Sequence, residues 1–137
     1  MKCSQLRYVL RNIDLSKGRL VRTEDDLEAI LVEKHKTVTR TNGRKYTSYY
    51  DYLVLLKDGK KAGIILNCTD YDIHIYVLQK YRNQHIVSRL INDGFLKKLW
   101  LDMNSITCAN HREYEKIKHF AEISGLEFCE DRMAWVC

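Results

Sequence analysis

The spacing of apolar residues changes once along residues 73–101, and that change organises the chain. Ile73, Ile75 and Val77 alternate with His74, Tyr76 and Leu78, the period of two that predicts a half-buried strand over residues 73–78. A short polar turn, residues 79–84, follows. Val87, Leu90, Ile91, Gly94, Phe95 and Leu99 then recur at three- and four-residue spacing. That pattern predicts one amphipathic helix over about residues 85–101, with a stripe that must bury against a sheet. A strand that runs through a turn straight into a helix aims the helix's first N–H groups at the turn, and such an end attracts phosphate.

In chain order, Leu6, Arg7, Tyr8, Val9 and Leu10 read as a strand and residues 14–18 break it. Thr23 reads as the N-cap of a helix to about Lys36, with Glu24, Asp25 and Asp26 in its first turn and Leu27, Ile30, Leu31 and Lys34 along one side. Residues 37–48 are polar, contain the Asn42-Gly43 turn signal and are predicted to be the mobile loop. Residues 49–57 and 62–68 read as strands joined by an Asp58-Gly59 hairpin turn. Residues 69–72 turn into the next strand, so three antiparallel strands precede the central helix. Residues 105–109 form a further short strand, which a helical crossover makes parallel to the 73–78 strand. Asn110 caps a last helix through Ser124, with the stripe Tyr114, Ile117, Phe120 and Ala121, and Gly125 ends it. The tail, residues 126–136, is strand or hairpin.

Composition narrows the class. The 137 residues are 45% hydrophobic and 30% charged, with no proline. This describes an ordinary globular α/β (α+β) protein that forms one domain over residues 1–137, with a core of useful size. No run of apolar residues is long enough for a membrane span and the N-terminus lacks the apolar core of a signal peptide, so the expected location is cytoplasmic. Five cysteines without a C-x-x-C pair indicate neither a disulfide framework nor a zinc site, and they are expected to be reduced and mostly buried. No metal is expected: His85 and His111 each start a predicted helix, and neither has ligand spacing to another histidine. All of the formal net charge of +5 lies in residues 1–45, as a solvated basic face or a surface for an acidic partner. No G-x-S-x-G, P-loop or Cys/His signature is present, which argues against nucleophilic and nucleotide hydrolysis.

Two segments carry a family resemblance that spans nearly the whole chain. Residues 77–91, Val-Leu-Gln-Lys-Tyr-Arg-Asn-Gln-His-Ile-Val-Ser-Arg-Leu-Ile, resemble the acetyl-CoA segment of the GNAT superfamily of N-acetyltransferases, a strand ending in V-x-P-x-Y-R-G-x-G-x-G and then a helix. Residues 120–126, Phe-Ala-Glu-Ile-Ser-Gly-Leu, are similar to its F-Y-x-x-x-G-F. The resemblance implies a mixed sheet with an antiparallel meander, a central strand-turn-helix and a splayed parallel pair, residues 73–78 and 105–109, between which the thioester lies. It places the coenzyme at Val77, Leu78, Arg82, Asn83, Gln84, His85, Ile86, Val87 and Asn110. Tyr81 and Arg82 are kept, whereas Asn83, His85 and Val87 stand where the family has glycines that allow unusual backbone angles and close approach of a phosphate.

For the base, Asp72 and His74 lie two apart and so on one strand face, with Tyr76 beside them. Their ordinary structural alternative is a turn residue and a half-exposed strand residue. The family's general-acid tyrosine falls at Ala121. Tyr114, seven residues earlier and about two turns away on the same face, supplies the nearest phenol; a packing role is its alternative. The leading expectation is therefore acetyl-CoA-dependent transfer to an unidentified amine, with acetyl-CoA as cosubstrate. A coenzyme-free GNAT-fold interaction module is the alternative. A third reading, less favoured, is nucleic-acid binding through Arg40, Arg44, Lys45, Tyr46, Tyr49 and Tyr50. A homodimer is left open, and no membrane partner is expected.

Overall fold

The computed structural model describes residues 3–24, 26–68, 73–100, 105–107, 115, 118–119, 121–123, 125–129 and 134–136. It is a mixed α+β chain. The elements run α1 (Cys3–Asn12), β1 (Arg19–Thr23), β2 (Leu27–Thr39), β3 (Lys45–Lys57), β4 (Lys60–Cys68), β5 (Ile73–Val77), α2 (Ile86–Asn92), α3 (Phe95–Leu99), β6 (Ser105–Thr107), β7 (Glu127–Cys129) and β8 (Ala134–Val136). The chain divides into two compact units, one of Met1–Thr69 with Ile75–Tyr81 and the other of Asp70–His74 with Arg82–Cys137.

The first unit is built on a sheet of order β1-β2-β3-β4-β5, with the β1–β2, β2–β3 and β3–β4 ladders antiparallel. The β3–β4 turn is the one predicted: Asp58 and Gly59 both take positive φ, at 51° and 79°, the backbone of a two-residue primed turn. Just past that turn, near the start of β4, Leu78 donates its N–H to the Ala62 carbonyl at 2.8 Å. Gly63 is needed here because a Cβ on it would meet the Tyr76 carbonyl at 2.9 Å.

Two predicted elements change type in this unit. The stretch from Leu6 is helix α1, not a strand. Leu6, Leu10 and Ile13 recur at helical spacing and are buried in a cluster with Val32, Tyr52, Val54, Leu56, Ile64 and Leu66 of the sheet, while Arg7, Tyr8 and Arg11 stay exposed. Conversely, the predicted helix from Thr23 to Lys36 is the end of β1, a turn and the strand β2. Leu27, Ala29 and Leu31 are buried, and Ile30 and Val32 pack on the α1 side. A strand apolar on both faces mimics the i, i+3, i+4 stripe of a helix. Of the acidic residues read as a helical first turn, Asp25 lies outside the described residues, and Glu24 and Asp26 instead make contacts at the β1–β2 turn. Glu24 donates its N–H to the Leu27 carbonyl at 3.0 Å, Arg22 pairs with Glu24, and Asp26 accepts from Lys57.

Residues 14–18 do break the chain as expected. Asp14 caps a single 3₁₀ turn, accepting from the Ser16 hydroxyl at 2.6 Å and the Ser16 amide at 3.0 Å. These two bonds, the hydroxyl first, hold its carboxyl below the usual carboxylate range. The predicted mobile loop of residues 37–48 is ordered hairpin: β2 and β3 pair continuously from Leu27↔Lys57 to Thr39↔Lys45. Only residues 40–44 turn. Asn42-Gly43 acts there as read, with Gly43 at φ 80°, its N–H on the Arg40 carbonyl, and the Arg40 N–H on the Arg44 carbonyl at 2.8 Å.

In the second unit the predicted central helix is two helices. Gly94 takes φ 78° between α2 and α3, and the Asp93 carboxylate accepts from the Phe95 N–H at 3.0 Å, so the stripe assigned through Gly94 is interrupted. The strand at Ser105 belongs to a second sheet. β6 pairs antiparallel with β8 in a sheet of order β6-β8-β7, and β5 is the last strand of the other sheet. The last helix ends where expected. Gly125 takes φ 78°, its N–H reaches the Glu122 carbonyl at 3.0 Å, and Leu126 N–H reaches the Ala121 carbonyl at 2.9 Å, the paired bonds of a Schellman end. The tail is a hairpin, β7 against β8. Cys129 is a free, half-buried thiol. Among the described residues no helix is long and apolar enough to cross a membrane.

Candidate functional site

The turn after β5 is the candidate, and its shape follows from four short features. β5 stops at Val77, and residues 79–81 make one 3₁₀ turn closed by Tyr81 N–H on the Leu78 carbonyl at 2.9 Å. Tyr81 is buried and anchors that turn, with the Lys80 ammonium 5.0 Å from its ring centroid, a cation–π distance. Arg82, Asn83, Gln84 and His85 then follow as exposed residues. Ile86 starts α2, and its first hydrogen bond runs from Arg89 N–H to the His85 carbonyl at 3.1 Å.

The backbone of this turn is unusual. Asn83 has φ 64° and His85 has φ 56° with ψ 33°, so both occupy the left-handed region. For asparagine this is a modest cost, because its short side chain tolerates that region; histidine is also among the non-glycine residues enriched there, at a cost of about 1 kcal/mol. Three non-glycine residues among those described take positive φ, and two of them are here. A left-handed residue directly before a right-handed one turns successive N–H groups to one side, the nest geometry that receives anions. His85 followed by Ile86 is such a pair, and no side chain caps the α2 start at His85.

Val87, the third position where the resemblance expects glycine, is inside α2 and only 1% exposed. Its side chain is in the core, so it does not stand on the open side of the turn. Ile86 is buried beside it, and Ser88 is the one buried polar side chain among the described residues. Sequence reasoning passed over Ser88. The available signal was its place between buried apolar neighbours in a first helical turn.

The remaining candidates separate cleanly. Val77 and Leu78 are half-buried, and Leu78 packs with Tyr76 against the α1 side of the first unit's core. His74 is a half-buried residue of β5, where alternation gives it the same strand face as Tyr76. Asp72, Asn110 and Tyr114 lie outside the described residues. Ala121, where the resemblance expects the acid, is fully buried and has no proton to give. Among the described residues no three His, Cys, Asp or Glu side chains gather as a metal site would require. Comparison with family models, with curated proteins and with solved structures gives no match to this chain.

Proposed function

We propose that this chain is a GNAT-type acyltransferase that binds acetyl-CoA at the turn of residues 82–87 and transfers the acetyl group to an amine. One observation carries the reading: Asn83 and His85 hold left-handed backbone at two of the positions where the resemblance expects glycine, while Val87, at the third, is turned into the core. The residues have changed but the turn keeps a shape that suits a pyrophosphate. In this reading the turn amides donate their N–H groups to the phosphate oxygens and the Arg82 guanidinium adds charge-assisted contacts. The amine nitrogen bonds to the thioester carbonyl carbon, the carbon–sulfur bond breaks, and the amine's proton passes to His74 supported by Asp72. Tyr114 is the proposed proton donor to the leaving thiolate. The parallel placement of β5 and β6 and a cytoplasmic location belong to the same proposal.

Calorimetric titration with acetyl-CoA tests the reading directly. Saturation at about 100 times Kd stabilises by about 2.7 kcal/mol and raises Tm by several degrees. Arg82→Ala should weaken binding and flatten its salt dependence. His85→Gly should relieve about 1 kcal/mol of backbone strain and leave affinity equal or better. His74→Gln should lower turnover about 100-fold, read as free thiol release, with acetyl-CoA affinity unchanged. Absence of any heat or Tm shift at millimolar acetyl-CoA sinks the coenzyme reading and leaves a GNAT-fold interaction module.

A further inference from the structure

The second candidate surface is the outer half of the β2–β3 hairpin, which lies wholly in the first unit. β1 pairs with β2 only from Glu28 to Leu31, and β4 pairs with β3 only from Tyr50 to Lys57. From His35↔Tyr49 outward to Thr39↔Lys45 the described ladder is therefore a two-stranded ribbon, ending in the turn of residues 40–44. Five residue pairs at about 3.4 Å per residue make an arm of roughly 17 Å before the turn.

The charge on this arm is of one sign. From its base outward, between Glu33 and Asp51, the sequence has Lys34 at the base, then Lys36, Arg40, Arg44 and Lys45, and no carboxylate. Lys34, Arg40, Arg44 and Lys45 are exposed, as are Thr37, Thr39, Thr41 and Thr47. Such an arm offers cations and hydroxyls to its partner and nothing that repels an anion. We propose that it binds double-stranded DNA, with the ribbon seated in the major groove and its cations on the flanking phosphates. The B-form major groove, about 12 Å wide, admits a two-stranded β-ribbon. Hydroxyls and guanidinium groups are the donors that meet phosphate oxygens and base edges. The deep, narrow major groove of duplex RNA excludes the same ribbon. This inference does not depend on coenzyme binding.

The test is fluorescence anisotropy of a short labelled DNA duplex over a salt series. Five phosphate contacts predict a log–log slope of about −4.5, or a roughly 500-fold fall in affinity between about 50 and 200 mM salt. The variant R40A/R44A/K45A should bind more weakly, with its slope reduced to about −1.8 and a fall of only about 12-fold over the same range. Circular dichroism and Tm confirm that it is folded. Arg44→Gln alone, which leaves the backbone N–H of Arg44 on the Asn42 side chain at 3.0 Å, should lower the slope by about one. Duplex RNA of matching sequence should bind more weakly than DNA, and polyglutamate should not displace the DNA at equal charge concentration. A flat salt series, a slope unchanged in the variants, equal binding of duplex RNA, or displacement by polyglutamate overturns the proposal; the last outcome points to an acidic protein partner instead.

Discussion

The β2–β3 hairpin is one continuous ladder with two unlike halves. Its inner half has strands on both sides and is apolar on both faces: Leu27, Ala29, Leu31, Val32 and residues 52–56 are buried. Among the described residues its outer half has neither neighbour, and it is basic and hydroxyl-rich. The hydrogen-bond pattern is the same in both, so the ladder does not distinguish them. Burial does. An isolated two-stranded ribbon is marginal in water, so the outer half borrows its order from the register set by the inner half and from the Asn42-Gly43 turn. The same cations that suit a polyanion also keep its open edges from pairing with a second ribbon.

That contrast predicts a gradient of mutational cost along one pair of strands. The largest effect belongs to Leu53→Ala, which empties a fully buried position and should cost about 2–5 kcal/mol in denaturant unfolding. Next is Gly18→Ala, beside the inner half. A Cβ there would meet Ile30 Cγ2 at 2.6 Å and the Leu31 carbonyl at 2.8 Å, and forcing it in should cost about 1–3 kcal/mol. At the tip, Gly43→Ala meets no atom within 4 Å but needs φ +80°, so only backbone strain of about 1–2 kcal/mol remains. Thr47→Ala, exposed in the outer half, should change stability by less than about 0.5 kcal/mol. Equal costs for Leu53→Ala and Thr47→Ala would break the comparison. Hydrogen exchange sharpens it: amides of residues 52–56 should exchange only by global unfolding, and those of residues 45–47 by local opening.

What the sequence alone determined is the local stereochemistry of the turns. Asp58-Gly59, Asn42-Gly43 and Gly125 each act where the residues place them, because a positive φ is a steric property of one or two residues. The strands β3, β4 and β5 and the start of a helix after His85 were legible for a related reason, since β-branched and aromatic runs bounded by such turns leave little choice. What the tertiary structure decided is which period an ambiguous apolar run obeys. Leu6 and Leu10 serve either a strand or a helix until a sheet face is present to bury one stripe, and Leu27 to Val32 read as helical until strands on both sides pair with them. The candidate site divides in the same way. Its place after β5 and its exposed Arg82 were readable from sequence, but the glycine-like backbone at Asn83 and His85 was not. No residue-type preference forces a histidine to φ 56°; that angle appears only in the folded turn, where His85 leads into the buried Ile86 and Val87 of α2.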